Sequence, residues 1–291
     1  MQEFKVSAAD VGQRADVFVA NQYPDFTRSS LERLFKDGLV TIQDKPAKPS
    51  DKIKLGGKVS VDEAILKAKP PMVNLPVIYE DGDVIVINKP AGLLSHSKGA
   101  LNLEATVASF VAGKITDVQL TGNRAGIVHR LDRATSGVMI AAKNSAAHSK
   151  LQKQFAQRKT KKQYLAVVEG LLEPTTAVID TPIGRNPNKP QTFKVMPSGK
   201  PAQTEYKTLK TFTKNNITYS LLELKPHTGR THQLRVHLSY IGHPIVGDHI
   251  YGVPGDNLML HAASLEITLP SSERKVFTAD PPATFKEFAE L

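Results

Sequence analysis

Asp132 stands in the run Gly126-Ile127-Val128-His129-Arg130-Leu131-Asp132-Arg133-Ala134-Thr135-Ser136-Gly137, with Arg130 before it and Arg133 after it. The apolar pieces 126–128 and 138–142 are rich in β-branched residues and bounded by glycine, so each reads as a short buried strand. A turn between them must present a carboxylate and two guanidinium groups at the mouth of a sheet. Core packing has no use for that cluster, which makes Asp132 a candidate reactive group, either a nucleophile or an electrostatic partner. Taken alone, Arg-Leu-Asp is equally a turn-capping aspartate with solvated arginines.

The other chemistries are narrower. The chain has no cysteine, which excludes disulfides, thiolate nucleophiles and cysteine-ligated zinc, and leaves oxygen and nitrogen for any covalent step. His227, His232, His237, His243, His249 and His261 crowd the C-terminal part. His232 and His237 fall on different faces of a helix, and no His-Glu-x-x-His occurs, so no metal site is expected. These histidines are expected to hydrogen-bond near phosphates or to occupy helix-surface positions. No phosphate-binding Gly-x-x-x-x-Gly-Lys and no dinucleotide fingerprint is found.

The longer match narrows the reading of Asp132. His129-Arg130-Leu131-Asp132-Arg133-x-Thr135-Ser136-Gly137 resembles the catalytic motif of the RluA-type RNA pseudouridine synthases, in which the aspartate of Arg-Leu-Asp is catalytic. Many relatives carry an acidic residue where this chain has Ala134, a departure that bears on a flanking contact. The resemblance continues in Tyr79-Glu80-Asp81-x-Asp83 through Asn88-Lys89-Pro90-Ala91-Gly92, which opens the catalytic domain in that family. It continues again in Lys162-Gln163-Tyr164, whose tyrosine lies against the target base there. His227-Thr228-Gly229-Arg230-Thr231-His232-Gln233-Leu234-Arg235 matches a further motif, in which the arginine pairs with the catalytic aspartate, and Gly247-Asp248-His249-Ile250-Tyr251-Gly252 matches another. By resemblance the catalytic set is Asp132, Arg235 and Tyr164.

What the resemblance implies can be weighed chemically. Conversion of uridine to pseudouridine breaks the N-glycosidic bond and rejoins C1′ to C5 of the same base. No redox equivalent is consumed, so no cofactor is called for. The reaction needs an ionised carboxylate in a pocket that excludes water. Burial alone would raise the pKa of Asp132; a guanidinium at a helix start would oppose that shift. Attack on C6, attack on C1′ and removal of the C2′ proton all use one aspartate. A phenol such as Tyr164 is suited to stacking on a flipped pyrimidine.

Bulk properties agree with a polyanionic partner. A net charge of +10 and a sequence pI of about 9.6 repel themselves unless something answers them. Charge alone makes nucleic acid the first candidate and an anionic membrane the second; the resemblance implies RNA, a 23S-type ribosomal RNA or a ribosome-assembly intermediate. No apolar run is long enough to span a membrane, and the N-terminus lacks a signal core. A cytoplasmic monomer is expected. The candidate RNA contacts are Arg130 and Arg133 beside Asp132, and Lys159, Lys161 and Lys162 in the dense basic run 157–162.

These residues need elements to hold them. With 291 residues and 40% hydrophobic composition, the chain can build a catalytic domain and a small module. The expected fold is α+β: a mixed, mostly antiparallel sheet with flanking helices in the catalytic domain, and an N-terminal S4-like α/β module. The expected domains are 1–66, a linker at 67–75 and the catalytic part at 76–291. Arg14 to Ala20 reads as a helix, and Ser29-Ser30-Leu31-Glu32 as a capping box opening a second, with Leu31, Leu34 and Phe35 on one face and Gly38 as its stop. Strands are expected at 39–42 and 58–61, with a turn at Asp44-Lys45-Pro46. Thr27 through Val40 resembles an S4 RNA-binding domain, which implies RNA contacts at Arg28, Ser29 and Lys36. The residues Gln43-Asp44-Lys45 depart from the Asn-Gly common there.

Lys-Ala-Lys-Pro-Pro-Met-Val-Asn at 67–74 has no apolar period and reads as an extended connector. Helices are expected at 103–111 and 146–155, a loop excursion at 184–204, and a last helix capped by Thr231, with Leu234, Leu238 and Ile241 on one face. Two readings compete with the synthase: a non-catalytic RNA-binding ribosome-assembly factor, and a nucleosidase. The nucleosidase would want paired carboxylates and gives no reason for the basic run.

Overall fold

The structure, a computed structural model, describes residues 1–68, 70–97, 101 and 103–291. The chain divides into two compact units, one of Met1–Val73, His96–Phe110 and Thr121–Ala125, the other of Asn74–Ser95, Val111–Leu120 and Gly126–Leu291.

In the first unit, β1 (Gln2–Lys5), α1 (Ala15–Gln22), α2 (Arg28–Lys36), β2 (Val40–Ile42), β3 (Lys45–Pro46), β4 (Lys58–Val61) and the short α3 (Ala64–Lys67) follow in order. The strands make one sheet in the order β1-β4-β2-β3. Phe18, Leu31 and Leu34 are fully buried against Val40, Val59 and Val61, each such side chain contributing about 1.5–3 kcal/mol. The cap of α2 is Thr27, whose hydroxyl accepts from Ser30 N, so the helix opens two residues before the expected Ser29 box. Its end is a Schellman motif: Leu39 N bonds Leu34 O and Gly38 N bonds Phe35 O, with Gly38 at φ +70. The turn falls at Gln43 and Asp44, both at positive φ, and Lys45–Pro46 is strand. A two-residue hairpin turn of this hand is what favours Asn-Gly, so the departure in sequence sits at the turn itself.

The second unit is organised on one large sheet. Its elements are β5 (Val77–Glu80), β6 (Val84–Lys89), β7 (Ser136–Ala142), α5 (Ser145–Ala156), β8 (Lys161–Glu169), β9 (Thr176–Asp180), β10 (Ile183–Arg185), β11 (Phe193–Val195), β12 (Gln203–Lys214), β13 (Ile217–Pro226), α6 (Gln233–Tyr240), β14 (Leu260–Thr268), β15 (Arg274–Thr278) and α7 (Ala283–Ala289); α4 (Val107–Ala112) is shared between the two units' segments. The sheet order is β5-β6-β7-β14-β8-β13-β12-β9, with β15 on β14. Among the described residues every ladder is antiparallel except β7 with β14, which runs parallel through His261–Ser136 and Ala262–Gly137. The fold is therefore α+β and mostly antiparallel, as the sequence leads one to expect.

Helix α5 seats Ala147 and Leu151 against Val84, Val86 and Ile140, and α6 seats Leu234 and Leu238 against Ala166, Val168 and Leu222. Among the described residues no helix is long and apolar enough to cross a membrane.

Four local expectations are corrected. Residues 126–128 are not a strand: only Ile127 bridges, to Ala141, because Gly126 at φ +73 breaks the extended run. The helix expected at 103–111 is Val107–Ala112, its N-terminal part being non-helical where described. The excursion at 184–204 contains the hairpin β10–β11. The residue opening α6 is His232, not Thr231, and its φ is +56.

Candidate active site

The turn carrying Asp132 enters β7 at the centre of the sheet, and its backbone is tied on both sides of the carboxylate. Before it, Ser95 Oγ donates to Leu131 O at 2.7 Å and accepts from Leu131 N at 3.1 Å. After it, Arg133 O accepts from Gly92 N at 2.8 Å and from Lys89 Nζ at 3.2 Å. Lys89 is fully buried, and its Nζ also donates to Pro90 O and Leu93 O. Three donors meet three carbonyls, which is the whole inventory of an ammonium. Burial pushes this lysine down to about 7, while the charge of Asp132 pulls the other way. The Lys-Pro dipeptide, readable from sequence only as a turn, thus clamps the loop 90–93 onto the reactive turn.

Gly137 sets how closely β7 meets β14. It sits at φ +119, and a Cβ there would come within 2.2 Å of Ala262 O. Only glycine lets β7 approach β14 that closely. Ser136 Oγ and His261 Nδ1 are 2.8 Å apart, and His261 Nε2 donates to Ala279 O, a buried cross-link beside the turn.

Asp132 faces a cavity of about 410 Å³ lined by Arg130, Thr135, Phe155, Arg158, Lys162, Tyr164, the segment 226–235 and Leu260, a size usual for a small-molecule site. Asp132, Tyr164 and Arg235 therefore share one cleft. Tyr164 comes from β8, and burial first, then the charge of Asp132, keeps its phenol protonated far above neutral pH. Lys162, two residues earlier on the same strand, is held below the ordinary lysine value by burial. His129 stacks on Phe155 at 4.5 Å and accepts from Ile140 N at 3.0 Å; burial pushes it down to about 3, so it stays neutral.

Arg235, expected to serve Asp132, divides its guanidinium unequally. Nε and Nη2 each bond Asp248 at 2.7 Å, and Nη1 lies 3.7 Å from Asp132 Oδ2. Asp248 is fully buried and also accepts from Ile250 N and Tyr251 N. The hydrogen bonds from Arg235 and from these backbone amides outweigh its burial and hold its carboxyl below the usual range. The Tyr251 ring covers the guanidinium, 5.1 Å from its carbon to the ring centroid. Gln233 organises the loop before α6: its Oε1 accepts from Thr228 Oγ1 and Arg230 N, and its Nε2 donates to Gln203 O and Thr204 Oγ1.

The remaining candidates fall into three places. Arg130 is exposed and lines the cavity; Arg133 is exposed, with Nη1 3.4 Å from Gly92 O. The basic run splits, since Arg158 and Lys162 reach the cavity while Lys159 and Lys161 are exposed outside its lining, Lys161 pairing with Glu266 at 3.3 Å. Arg28, Ser29 and Lys36 belong to the first unit. All three are exposed and span an arc of about 100° on α2 that adjoins the buried arc of Leu31, Leu34 and Phe35, with Arg28 also 3.8 Å from Asp16.

The histidines are not surface residues as a group. His237 is fully buried between Thr204 Oγ1 and Thr181 O, and His261 is fully buried as described. No cluster able to hold a metal ion occurs among the described residues. Lys89, Arg158, His232, Gln233, Asp248 and Tyr251 carry no assigned role in the sequence reading. The signals were there: Lys89, His232, Gln233, Asp248 and Tyr251 stand in family-like runs, and Arg158 stands in the basic run 157–162.

Residues 83–240 match the family described as RNA pseudouridylate synthase. A protein of Aquifex aeolicus named an uncharacterized RNA pseudouridine synthase is 42% identical over 98% of this chain and 94% of its own length. The ribosomal large subunit pseudouridine synthase D of Borreliella burgdorferi is 38% identical over 94% of this chain and 88% of its own length. Among solved structures, human RNA pseudouridylate synthase domain containing 1 superposes with a TM-score of 0.60 at 30% identity, covering 74% of this chain and 87% of that one.

Proposed function

The chain belongs to the RNA pseudouridylate synthase family, and on that premise we propose that it converts uridines of large-subunit ribosomal RNA to pseudouridine with Asp132 as its catalytic residue. It is an RNA pseudouridine synthase, an isomerase acting on uridine within RNA. The observation that carries the residue assignment is the single cleft lined by Asp132, Tyr164 and Arg235.

In this reading the target nucleotide leaves its stack and enters the cleft. Tyr164 offers its ring to the pyrimidine and stays a phenol, so no second negative charge competes with the carboxylate. Asp132 then supplies the oxygen that each route to base detachment requires. The N1–C1′ bond breaks, C1′ joins C5, and the C5 proton is replaced by one on N1, so atoms balance without a co-reactant. The Arg235–Asp248 pair is neutral as a unit and turns one guanidinium nitrogen, Nη1, toward Asp132 Oδ2.

The positive groups around the opening, Arg130, Arg133, Lys159, Lys161 and Lys162, hold the RNA backbone, and residues 1–66 act as an S4-like RNA-binding module through Arg28, Ser29 and Lys36. Residues 67–75 act as the linker and 76–291 as the catalytic domain. Large-subunit ribosomal RNA is the substrate by likeness to the Borreliella burgdorferi protein's name. Cytoplasmic action as a monomer is part of the same reading, in keeping with an RNA substrate.

The test is pseudouridine mapping of total RNA from cells lacking the gene, complemented with wild type or Asp132→Asn. Wild type is expected to restore a defined set of sites in large-subunit RNA, and the variant none. Restoration by the variant would remove Asp132 from catalysis. Sites confined to transfer RNA would overturn the substrate and leave the enzyme class standing.

A further inference from the structure

A second chain of polar contacts, beside Arg235, leads to Asp132. Phe193 N donates to Tyr251 Oη at 3.0 Å. Tyr251 Oη lies 2.8 Å from His232 Nδ1, and His232 Nε2 lies 3.9 Å from Asp132 Oδ2. The hydroxyl accepts from the amide and has one proton of its own, which we place on the side of the imidazole, with Nδ1 as its acceptor. The proton of a neutral ring then sits on Nε2, the nitrogen turned toward the carboxylate. Arg235 Nη1 approaches the same oxygen, Oδ2, at 3.7 Å.

We propose that His232 is a positioning residue for the reaction: locked by Tyr251 as the Nε2–H tautomer, it joins Arg235 in holding Oδ2 of Asp132, so that Oδ1 is the oxygen that meets the nucleoside. The inference rests on the reading of Asp132 as catalytic.

The backbone supports it. His232 adopts φ +56 and ψ 20 at the mouth of α6, a left-handed conformation that costs a non-glycine residue about 1–2 kcal/mol. Glycine would be easier there, and the histidine makes no side-chain cap bond to the helix. Its ring is instead packed edge-on against Phe193 at 5.7 Å and Tyr251 at 5.6 Å. The charged and titratable groups facing it are Asp132, Arg235, Asp248, Arg130 and Tyr251. Burial outweighs the two carboxylates, and the ring stays below its ordinary value and neutral near pH 7. A neutral donor steers one carboxylate oxygen without transferring a proton to it, the 3.9 Å separation closing to hydrogen-bond distance as the nucleotide seats.

The experiment uses the full chain labelled with ¹⁵N at histidine, His232 being identified by the signals lost in His232→Gln. Ring correlation spectra at pH 7 are expected to show the neutral Nε2–H pattern, with the tautomers mixing in Tyr251→Phe. An Nδ1–H or imidazolium pattern in the wild type overturns the proposal. In single-turnover assays at saturating RNA, His232→Phe is expected to lower the rate about 100-fold, the usual cost of one preorganised donor, with RNA affinity unchanged. His232→Gln, whose amide can reach the Nε2 position, is expected to recover most of that loss. Equal rates for the Phe and Gln variants, with both folded by circular dichroism, also overturn it. An active Asp132→Asn enzyme would instead sink the underlying assignment of the aspartate, whichever tautomer the spectra report.

Discussion

Arg235 bonds Asp248 twice at 2.7 Å and stops 3.7 Å short of Asp132. The guanidinium thus has a structural partner and a functional neighbour, and the two carboxylates should answer differently to neutralisation. Asp248 is fully buried, and breaking a buried pair from one side costs about 3–5 kcal/mol because a charge is left uncompensated. Asp248→Asn is expected to lower the unfolding free energy by about 3 kcal/mol in urea titrations. Asp132→Asn is expected to leave stability within about 1 kcal/mol of wild type, since its contact is longer and partly solvated. Equal losses in the two variants would contradict this ranking.

The basic run offers a second contrast. Arg158 and Lys162 line the cavity, whereas Lys159 and Lys161 lie outside its lining. Lys159→Gln with Lys161→Gln is expected to weaken RNA binding and flatten its salt dependence by about 0.7–0.9 per lost phosphate contact, with the rate at saturating RNA unchanged. Arg158→Gln with Lys162→Met is expected to lower that saturated rate as well. Filter-binding titrations over a salt series, paired with single-turnover rates, separate the two; identical behaviour of the pairs would dissolve the distinction.

The parts of the molecule legible in sequence were those with a local physical cause. Leu31, Leu34 and Phe35 share a helical face because spacing puts them there, and Asp132, Tyr164 and Arg235 stand in motifs dense enough to be matched. What stayed hidden depends on contacts far apart in the chain. Lys89 is a turn residue until the carbonyl of Arg133 arrives beside it, and the second carboxylate on Arg235 comes from a segment 13 residues away. The misplaced caps have the same origin. Ser29 and Thr231 are good N-cap residue types, but Thr27 wins at α2 by reaching Ser30 N, and at α6 the packing of the His232 ring against Tyr251 and Phe193 overrides propensity.

Lys89 provides a pH test. Its folded value is pushed down to about 7 from 10.5 by burial. Below about pH 7 both folded and unfolded chains hold the proton, and its contribution is flat. Between there and the ordinary lysine value only the unfolded chain holds it, so stability rises with pH by at most about 1.4 kcal/mol per unit. Measured against Lys89→Met, which lacks the titrating group, the wild type is expected to gain stability from pH 7.5 to pH 9. A difference that stays level over that range would mean that the three carbonyls around Nζ keep the ammonium charged.

Gly137 tests the placement of the catalytic turn from the sheet side. Alanine there would meet two obstacles at once: a φ of +119 that L-residues rarely adopt, and Ala262 O within 2.2 Å of its Cβ. The obstacle is backbone of the neighbouring central strand, so no side chain can swing away, and β7 and β14 would have to part. Gly242 is the control, with a comparable sign of φ at +86 but nothing within 4 Å of its Cβ position. Gly242→Ala is expected to cost about 1–2 kcal/mol from backbone conformation alone, and Gly137→Ala about 4 kcal/mol or more, the range reached when a packed contact is broken. Because the parallel pairing lies only four residues beyond Asp132, the Gly137 variant should also lose turnover at temperatures where it remains folded. Thermal unfolding of both variants, with single-turnover rates taken well below their midpoints, checks both parts. Equal midpoints for the two alanine variants would show that the sheet gives way at Ala262 more easily than its position in the centre implies.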